Sequence, residues 1–528
     1  SAVTNRFGSR VVSAFGYSND AAGRRTAISR SGEAFGDLSG STDTYGYNLR
    51  SEVVSARRTK GGASVRGFDE DFSYDPIGNR IATTNYTETG AAVVSEYTAN
   101  SLNQYTSRTV SGYAAVRGHA DADATVTVNE KPTYRYGEYF FGSDEFDNSQ
   151  SAVDAALVTT AALASPTNGP DEVASVTSRV HIAKSPQPFE YDLDGNQTLV
   201  ATKTGTWRVT YNGENRPVLW ERVATDSNTL TSNTQTRVSM SFDHQGRRRM
   251  YLEAAADGST NRLDRFTYDN YLCIARNRWH PDGTSAADRF VWDPTEPVAT
   301  RPLVWNYSTL QPFNVSTCYY AHDGNKNVSE LVSSADGSIS AHYEYAPFGE
   351  VILSSGDFAV TNPFRFSSEY ADDTLALVYY NYRHYEPVMG RWLSRDPIGN
   401  IFSLNLFAFS FNQQYFDFLG LFTFDDFTGT PPEGNPHSAL TACSYDVDSG
   451  CGESMLDQEL SGEQCRDAKT DEDDNGNGSK VPRNSGDGGK KDCPCKKCYI
   501  YKARFPDFKI VLKGQTLLYK LYCICLTV

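Results

Sequence analysis

Two aspartates, Asp396 and Asp417, are the residues of this chain whose type and spacing point to chemistry. Two carboxylates about 3 Å apart cannot both ionise easily, so they share a proton: one acts as a base toward water while the other polarises the carbonyl under attack. They lie 21 positions apart, which suffices for a strand, a turn and a returning strand. Arg395, next to Asp396, is placed to hold a carboxylate or a carbonyl oxygen. The pattern predicts an aspartic-type hydrolytic site.

Asp396 also fits a purely structural role, because Asp before Pro is a common turn opener. The four residues Asp-Pro-Ile-Gly at 396–399 repeat those at 75–78, where we expect no chemistry. On the residues alone, the turn interpretation of Asp396 is favoured.

Short segments that resemble one another recur along the chain and predict its architecture. Each combines an aromatic-rich alternating run, a polar turn with Gly and a second alternating run; the copies are "FSYDPIGNRIATT" from Phe72, "FEYDLDGNQTLVAT" from Phe189, "SFDHQGRRRMYL" from Ser241 and "YYAHDGNKNVSEL" from Tyr319. This is the pattern of a β-hairpin, in which an Asp side chain bonds its own backbone and a Gly takes the position with φ > 0. The residues predicted to hold these turns are Asp75 and Gly78, Asp192 and Gly195, Asp243 and Gly246, and Asp323 and Gly324.

The hairpins predict an all-β chain. A single hairpin is marginal alone, so many must pair edge to edge before their aromatic faces are buried. The spacing of the copies is irregular, which argues against a propeller and for one long winding sheet. The stretch from Phe141 to Val180 lacks the pattern and is predicted to be an inserted loop or a short helix.

Composition agrees with strands and limits the partners. The 528 residues include 32 Tyr and 28 Phe but only 4 Met, and the net charge is −16. Because phosphate binding needs a basic surface, nucleic acid is not expected as a partner of the repeat region. The sequence has no apolar run long enough to span a membrane and no signal peptide. Since it begins at Ser1 inside a repetitive pattern, we expect a fragment or a processed product.

The last hundred residues have a different composition. Residues 422–479 carry fourteen acidic against two basic residues, whereas residues 480–528 carry eleven basic against three acidic ones. The polar, glycine-rich stretch at 469–492 is predicted to be a linker, and the alternating stretch after it to form two or three strands. Lysines on those strands either bind an anionic target or form a solvated face, and the second is favoured.

Eight of the ten cysteines follow residue 421, whereas Cys273 and Cys318 are predicted to be buried thiols in the repeats. Two interpretations of the tail cysteines stay open. An even number suits disulfides in an exported protein, while closely spaced thiolates suit zinc. Because a clean zinc-ribbon spacing is missing, disulfides or free thiols are favoured. The candidate zinc ligands are Cys493, Cys495, Cys498, Cys523 and Cys525.

The repeats resemble the tyrosine-aspartate (YD) repeats of the Rhs family. The stretch "YYNYRHYEPVMGRWLSRDPIGN" at 379–400, followed by "NLFAFSFNQ" and "DFLGL", resembles that family's Rhs-associated core. The resemblance implies a long spiral antiparallel sheet that forms a hollow shell around a variable C-terminal polypeptide. It also implies self-cleavage by Asp396 and Asp417, with Arg395, between Leu421 and Phe422. In this chain Phe418 follows Asp417 where the family usually has proline, so cleavage and an uncleaved shell both stay open.

The predicted domains are a repeat shell at 1–378, a core region at 379–421 and a small cysteine-rich cargo region at 422–528. The leading hypothesis is a bacterial, secreted or surface-delivered shell that encloses its own toxin-like C-terminal segment, with self-cleavage as its only chemistry and no cofactor. Because 421 residues are few for a large shell, upstream sequence or a partner chain is expected to complete it. The alternative hypothesis is a displayed adhesin with an uncleaved, disulfide-bonded tail.

Overall fold

The computed structural model describes residues 1–165, 171–223, 236–294, 301–310, 313–397, 399 and 405–409, together with seven short strands farther along the chain. Contacts divide the chain into two compact units, Ser1–Thr428 and Gly429–Val528. The domain boundaries at 378 and 421 remain predictions. No helix among the described residues is long and apolar enough to cross a membrane.

The first part of unit 1 is a run of antiparallel hairpins in which each strand pairs with the next along the chain, except that the short β6 branches off β5 and β7 pairs with β5. A 3₁₀ turn, Glu33–Leu38, packs beside β2 and β3. The strands are β1 Ala2–Phe7, β2 Arg10–Asn19, β3 Arg25–Ser31, β4 Ser41–Tyr47, β5 Val53–Lys60, β6 Ala63–Ser64, β7 Glu70–Tyr74, β8 Arg80–Tyr86, β9 Ala92–Ala99 and β10 Tyr105–Arg108.

An inserted module of two smaller sheets follows. One has the order β11-β15-β14 and the other β13-β12-β16-β17. The prediction of a loop or short helix between Phe141 and Val180 is wrong, because this stretch contains the longest hairpin of the module. The strands are β11 Tyr113–His119, β12 Thr125–Val128, β13 Lys131–Pro132, β14 Tyr134–Tyr136, β15 Tyr139–Glu145, β16 Val153–Leu163 and β17 Glu172–Ile182.

The second run of hairpins is a fourteen-stranded antiparallel sheet in chain order, from β19 to β32. The strands of this stretch are β18 Gln187–Pro188, β19 Glu190–Tyr191, β20 Gln197–Thr202, β21 Gly205–Tyr211, β22 Pro217–Arg222, β23 Arg237–Phe242, β24 Arg248–Ala254, β25 Thr260–Asp269, β26 Leu272–Trp279, β27 Ser285–Trp292, β28 Pro302–Leu310, β29 Phe313–His322, β30 Val328–Ser333, β31 Ile339–Tyr345 and β32 Val351–Ser355.

The two runs are continuous through one extended segment. β18 pairs with β10, at the end of the first run, while β19 begins only two residues later and pairs with β20, at the start of the second. Residues 187–191 therefore connect the two antiparallel sheets directly along the chain, with the module of β11 to β17 as an insertion. The predicted all-β class and its long antiparallel sheet are confirmed.

The sheet winds so that its early hairpins meet its late ones. Ser13 Oγ donates a hydrogen bond to Glu330 at 2.6 Å, and Arg58 Nη1 to Glu344 at 2.6 Å. The paired residues are 317 and 286 positions apart in sequence. We call this contact of β2 to β5 with β30 and β31 the seam; it turns the sheet into a spiral.

Large side chains fill the inside of the second run. Trp207, Trp220 and Trp305 are each at most 1% exposed and belong to one apolar cluster that extends to Leu393. Complete burial of one such side chain contributes roughly 1.5–3 kcal/mol. Cys273 and Cys318 are free thiols buried in the same cluster, as predicted.

The repeat turns share one hydrogen-bond pattern. In all four predicted turns an aspartate Oδ1 accepts the backbone N–H of the residue four positions later. Gly78, Gly195 and Gly246 have φ of 90°, 88° and 75°. The assignment of Gly324 to this position is wrong, because Lys326 holds it with φ of 62°.

The spacing explains that error. The position with φ > 0 is three residues after the aspartate in each turn, and Gly324 directly follows Asp323. Gly324 has another reason to lack a side chain: its N–H donates to the Tyr17 hydroxyl at 2.5 Å, and a Cβ would lie 2.8 Å from the Tyr17 ring.

After a 3₁₀ turn at Phe366–Ser368, unit 1 continues with a small antiparallel sheet, and short paired strands follow along the rest of the chain. In the three-stranded sheet near the C-terminal end of the described strands, the register pairs Cys443 with Cys523 and Cys498 with Cys525. The strands are β33 Tyr370–Asp372, β34 Leu377–Tyr379, β35 His384–Glu386, β36 Arg391–Trp392, β37 Tyr415–Phe416, β38 Phe424–Asp425, β39 Ala442–Ser444, β40 Cys498–Ile500, β41 Ile510–Leu512, β42 Gln515–Leu517 and β43 Tyr522–Cys525.

Candidate functional site

The core region is built on a small aromatic cluster. β34, β35 and β36 form a meander, in which Tyr379 pairs with His384 and Tyr385 with Trp392. Edge-to-face packing of Tyr380 on Trp392, with ring centroids 4.9 Å apart, fixes the turn between β34 and β35 against β36. The cluster consists of Val378, Tyr380, Tyr385, Trp392, Phe366 and Phe409.

Asp396 follows β36, and its carboxylate forms an ion pair with Arg383, which lies in the turn between β34 and β35. The Arg383 Nη2 to Asp396 Oδ2 distance is 3.0 Å, and the two side chains are 2% and 18% exposed. The Arg383 guanidinium also lies over the Trp392 ring, 4.0 Å from its centroid. A charge pair this shielded from water holds its partners more firmly than one on the surface.

Asp396 and Gly399 share two backbone features with the repeat turns. Gly399 N–H donates to Asp396 O at 3.0 Å, and Gly399 has φ of 74°. In the identically spelled repeat turn, the Asp75 carboxylate accepts the backbone N–H of Ile77 and the backbone and side-chain N–H groups of Asn79, at 2.8–3.0 Å. The Asp75 carboxylate thus bonds within its own turn, and the Asp396 carboxylate also has a partner from another turn, Arg383.

The other predicted site residues lie in different surroundings. The Arg395 side chain lies against Gly195, where a Cβ would come within 2.4 Å of the Arg395 Nε. Asp417, Leu421 and Phe422 lie outside the described residues. The described residues before and after them pair as β37 and β38, with Phe416 opposite Phe424.

Sequence reasoning missed Arg383, whose signal was its position between aromatic residues in "NYRHYEP". An arginine in such a setting stacks on a ring and keeps its fork of donors free for a carboxylate. The pKa values of two titratable residues on β35 are shifted by burial. Burial lowers the pKa of His384 to about 3, and burial raises the pKa of Glu386 to about 7.

The core region is bonded to both runs of the sheet. On the first run, Arg391 Nη2 donates to Asn103 O at 2.6 Å, and Asn405 Nδ2 donates to Asn79 Oδ1 at 2.9 Å. On the second, Gln197 N–H donates to the carbonyl of the core region's Leu393 at 2.9 Å. The core region therefore ties together hairpins that are distant in sequence.

No group of three or more His, Cys, Asp or Glu side chains in the described part of the chain is arranged to hold a metal ion. The candidate zinc ligands of the tail fall outside the residues whose side chains the structure describes. Disulfides, free thiols and zinc therefore remain alternatives for the tail.

Comparison with known proteins identifies toxins among the relatives. The chain is 25% identical over 242 residues to double-stranded DNA deaminase toxin A of Burkholderia cenocepacia, which is 42% of this chain and 16% of that protein. It is 24% identical over 391 residues to toxin subunit YenC1 of Yersinia entomophaga, which is 69% of this chain and 38% of that protein. The chain thus spans well under two thirds of either relative.

Among solved structures, the crystal structure of TcdB2-TccC3-Cdc42 matches with a TM-score of 0.38 and 18% identity over 78% of this chain and 20% of that chain. No profile of a known protein family matches. The hairpin repeats, the core motif and the toxin relatives nevertheless agree with one another. The chain resembles the Rhs family of YD-repeat proteins in its repeats and core motif, and its relatives include toxins and toxin subunits.

Proposed function

We propose that this chain is the shell of a secreted bacterial toxin, which encloses its own C-terminal polypeptide and releases it by cutting the bond between Leu421 and Phe422. The relatives support the toxin context, since one is a deaminase toxin and another is a toxin subunit. The paired strands β37 and β38 bracket the proposed bond.

The observation that carries the proposal is the ion pair of Asp396 with Arg383. A hydrolytic carboxylate must be held in position to within a fraction of an ångström. Arg383, nearly inaccessible to water and stacked on Trp392, supplies such a support.

The proposed step consumes one water molecule. One of Asp396 and Asp417 takes a proton from the water as its oxygen attacks the Leu421 carbonyl carbon, and the other carboxyl group donates its proton to the carbonyl oxygen. Collapse of the tetrahedral intermediate breaks the bond to the Phe422 nitrogen, which leaves as an amine after taking up a proton. The products are a new carboxyl terminus at Leu421 and a new amino terminus at Phe422.

Enclosure is supported by the position of the core region in the chain. This region is bonded to both runs of the spiral sheet, and residues 422–528 follow directly from it. Because the chain spans only 38% of YenC1, which is itself a toxin subunit, we propose that further polypeptide closes the shell, either upstream in the same chain or in a partner.

The test compares the purified wild type with Asp396→Asn and Asp417→Asn on a denaturing gel and by intact mass. The wild type should release a fragment that begins at Phe422, and each variant should lower the cleavage rate on the order of 10²- to 10⁴-fold. Asp75→Asn is the matched control, because it changes the same residue in the same kind of turn, and it should cleave like wild type.

A single full-length species in all four proteins would refute the cleavage. It would favour the second candidate, a displayed repeat protein that keeps its tail attached. Enclosure has its own readout, since a protease added to the native protein should spare residues 422–528 while the sheet is intact and degrade them once urea unfolds it.

Arg383 is proposed as a positioning residue. Arg383→Lys keeps the positive charge but loses the planar fork and much of the stacking on Trp392. Cleavage should slow and its dependence on pH should shift, whereas a purely structural role would lower stability without moving the pH profile.

A further inference from the structure

The hairpin of β16 and β17 carries the longest run of exposed strand residues in the inserted module. Its eleven residue pairs run without a bulge from Val153 opposite Ile182 to Leu163 opposite Glu172. Eight consecutive residues of β17, 172–179, are exposed, including both Val173 and Val176 at 65% and 66%. In the part of the chain that the structure describes, β17 pairs with β16 alone.

An open strand edge presents a row of backbone donors and acceptors to any strand that can pair with it. Natural edges are usually guarded by proline, lysine or a bulge. Residues 172–179 contain neither proline nor lysine, and the register shows no bulge. This edge is therefore open to pairing over its whole exposed length.

The backbone groups that face the open edge follow from one pair of hydrogen bonds. Val158 N–H donates to Asn129 Oδ1, and Val158 O accepts the Asn129 N–H, both at 2.8 Å, so residue 158 of β16 faces β12. Because strand residues alternate, Thr159 faces β17, where it lies opposite Val176. The residues of β17 whose N–H and C=O face outward are then Val173, Ser175, Thr177 and Arg179.

We propose that this edge pairs antiparallel with the same edge of a second copy of the chain. A two-fold axis requires each residue to face its symmetry mate. With the axis at Ser175, the edge places Val173 opposite Thr177 of the second copy and Asp171 opposite Arg179 of the second copy. Two ion pairs then close the ends of the contact, while Ser175 faces itself in the centre.

Charge selects this register from the alternatives. Hydrogen bonds across the contact form only between residues whose backbone groups face outward. The two-fold axis can therefore lie only at positions that place outward-facing residues of the two copies opposite one another. An axis at Val176 puts Arg179 opposite Val173, and an axis at Thr177 puts it opposite Ser175; neither brings Asp171 to Arg179. Both charged side chains are exposed, and Asp171 already accepts the Ser165 N–H with one oxygen at 3.0 Å.

The test is sedimentation of the full chain over a range of concentrations. The wild type should pass from monomer to dimer, and Ser175→Pro should remain monomeric. Proline removes an N–H that faces outward, so the bonds of β17 to β16 are kept. Ser175→Thr keeps that N–H and favours a strand, and should dimerise like wild type.

Charge reversal supplies a second, independent test that keeps every backbone bond. Arg179→Asp and Asp171→Arg should each raise the dimer dissociation constant on the order of tenfold. The double variant restores opposite charges in both ion pairs and should regain wild-type affinity. A wild type that is monomeric at all concentrations, or a double variant as weak as the single ones, overturns the proposal. Proteolytic release of the tail is a separate readout, so the two hypotheses fail independently.

Discussion

His342 of β31 lies between two carboxylates of the seam, and we predict that the stability of the protein depends on the charge of this imidazole. His342 Nδ1 is 3.1 Å from Glu330 Oε1, and its Nε2 is 3.8 Å from Glu344 Oε1. The ring also packs edge-on against Phe35, with centroids 5.2 Å apart. Side chains at most 2% exposed thus join β30 and β31. We predict that replacing His342 with Gln weakens the protein only where the imidazole is charged.

The seam is electrically balanced only when that imidazole carries a proton. Three carboxylates meet two guanidinium groups, with Arg58 bonded to both Asp43 and Glu344 at 2.6 Å, and a charged histidine supplies the third positive charge. Burial lowers the pKa of the neighbouring His119. The charged groups of the seam are Arg30, Arg58, Asp43, Glu330, Glu344 and His342.

The magnitude follows from the pKa of His342. Burial disfavours the charged ring, but the carboxylates of Glu330 and Glu344 more than offset this and raise the pKa from 6.5 to about 9. At 1.36 kcal/mol per pH unit, that difference corresponds to roughly 3 kcal/mol of stability. Because the folded pKa is the higher one, the contribution is complete below pH 6.5, falls as pH rises and is lost above about pH 9.

The assay is urea denaturation of wild type and His342→Gln between pH 6 and pH 9.5, followed by circular dichroism. The difference in the free energy of unfolding should be roughly 3 kcal/mol at pH 6 and should fall toward zero at pH 9.5. Glu70 and Glu386, whose pKa values burial raises to about 7, also titrate near this range, but they are present in both proteins and cancel.

His244 provides the matched control, since it is exposed in a repeat turn and His244→Gln should leave the pH profile of wild type unchanged. The reasoning is refuted if wild type and His342→Gln show parallel profiles, because a constant difference would reflect lost packing and not a titrating charge.

Two further predictions follow from the turns and the tail. Gly195→Ala should destabilise the protein by roughly 1–2 kcal/mol from its φ of 88° alone, and by more because the new Cβ would meet Arg395. Gly258→Ala, at a φ of 84° with no atom within 4 Å, measures the backbone part by itself in the same urea assay. For the tail, intact mass with and without reductant should differ by two hydrogens for each disulfide, and an unchanged mass together with zinc in the purified protein would contradict the disulfide interpretation.

Local chemistry made the repeat turns predictable. The aspartates at 75, 192 and 243 bond their own turns, and the glycines three residues later adopt the φ that only glycine reaches easily. The failure at Gly324 has the same origin, because the turn is defined by its distance from the aspartate and not by the presence of glycine. Lys326 holds the position with φ > 0 in this turn. The search for a glycine therefore gave the wrong residue, whereas counting three residues from Asp323 gives Lys326.

The inserted hairpin could not be found from its pattern. Alternation of polar and apolar residues arises when one face of a strand is buried. The first eight residues of β17 are exposed on both faces. Because neither face is buried, "EVASVTSR" does not need to alternate polar and apolar residues. Its Val, Thr and Ser residues were the remaining indication of a strand.

The pairing of Asp396 with Arg383 could not be predicted from the local sequence. Gly78 and Gly399 both adopt φ > 0, and each donates its N–H to the carbonyl of the aspartate three residues before it, so these backbone features do not distinguish Asp75 from Asp396. The Asp396 carboxylate meets the guanidinium of Arg383, which comes from another turn and is held in place by an aromatic ring. That contact forms only when the meander of β34 to β36 brings Arg383 close to Asp396. The same four-residue motif can therefore have a different role at this place in the fold. In this interpretation, a catalytic aspartate arises when an existing turn acquires new neighbouring residues. We therefore predict that Arg383→Lys changes the cleavage chemistry at Asp396 and leaves the turn itself intact.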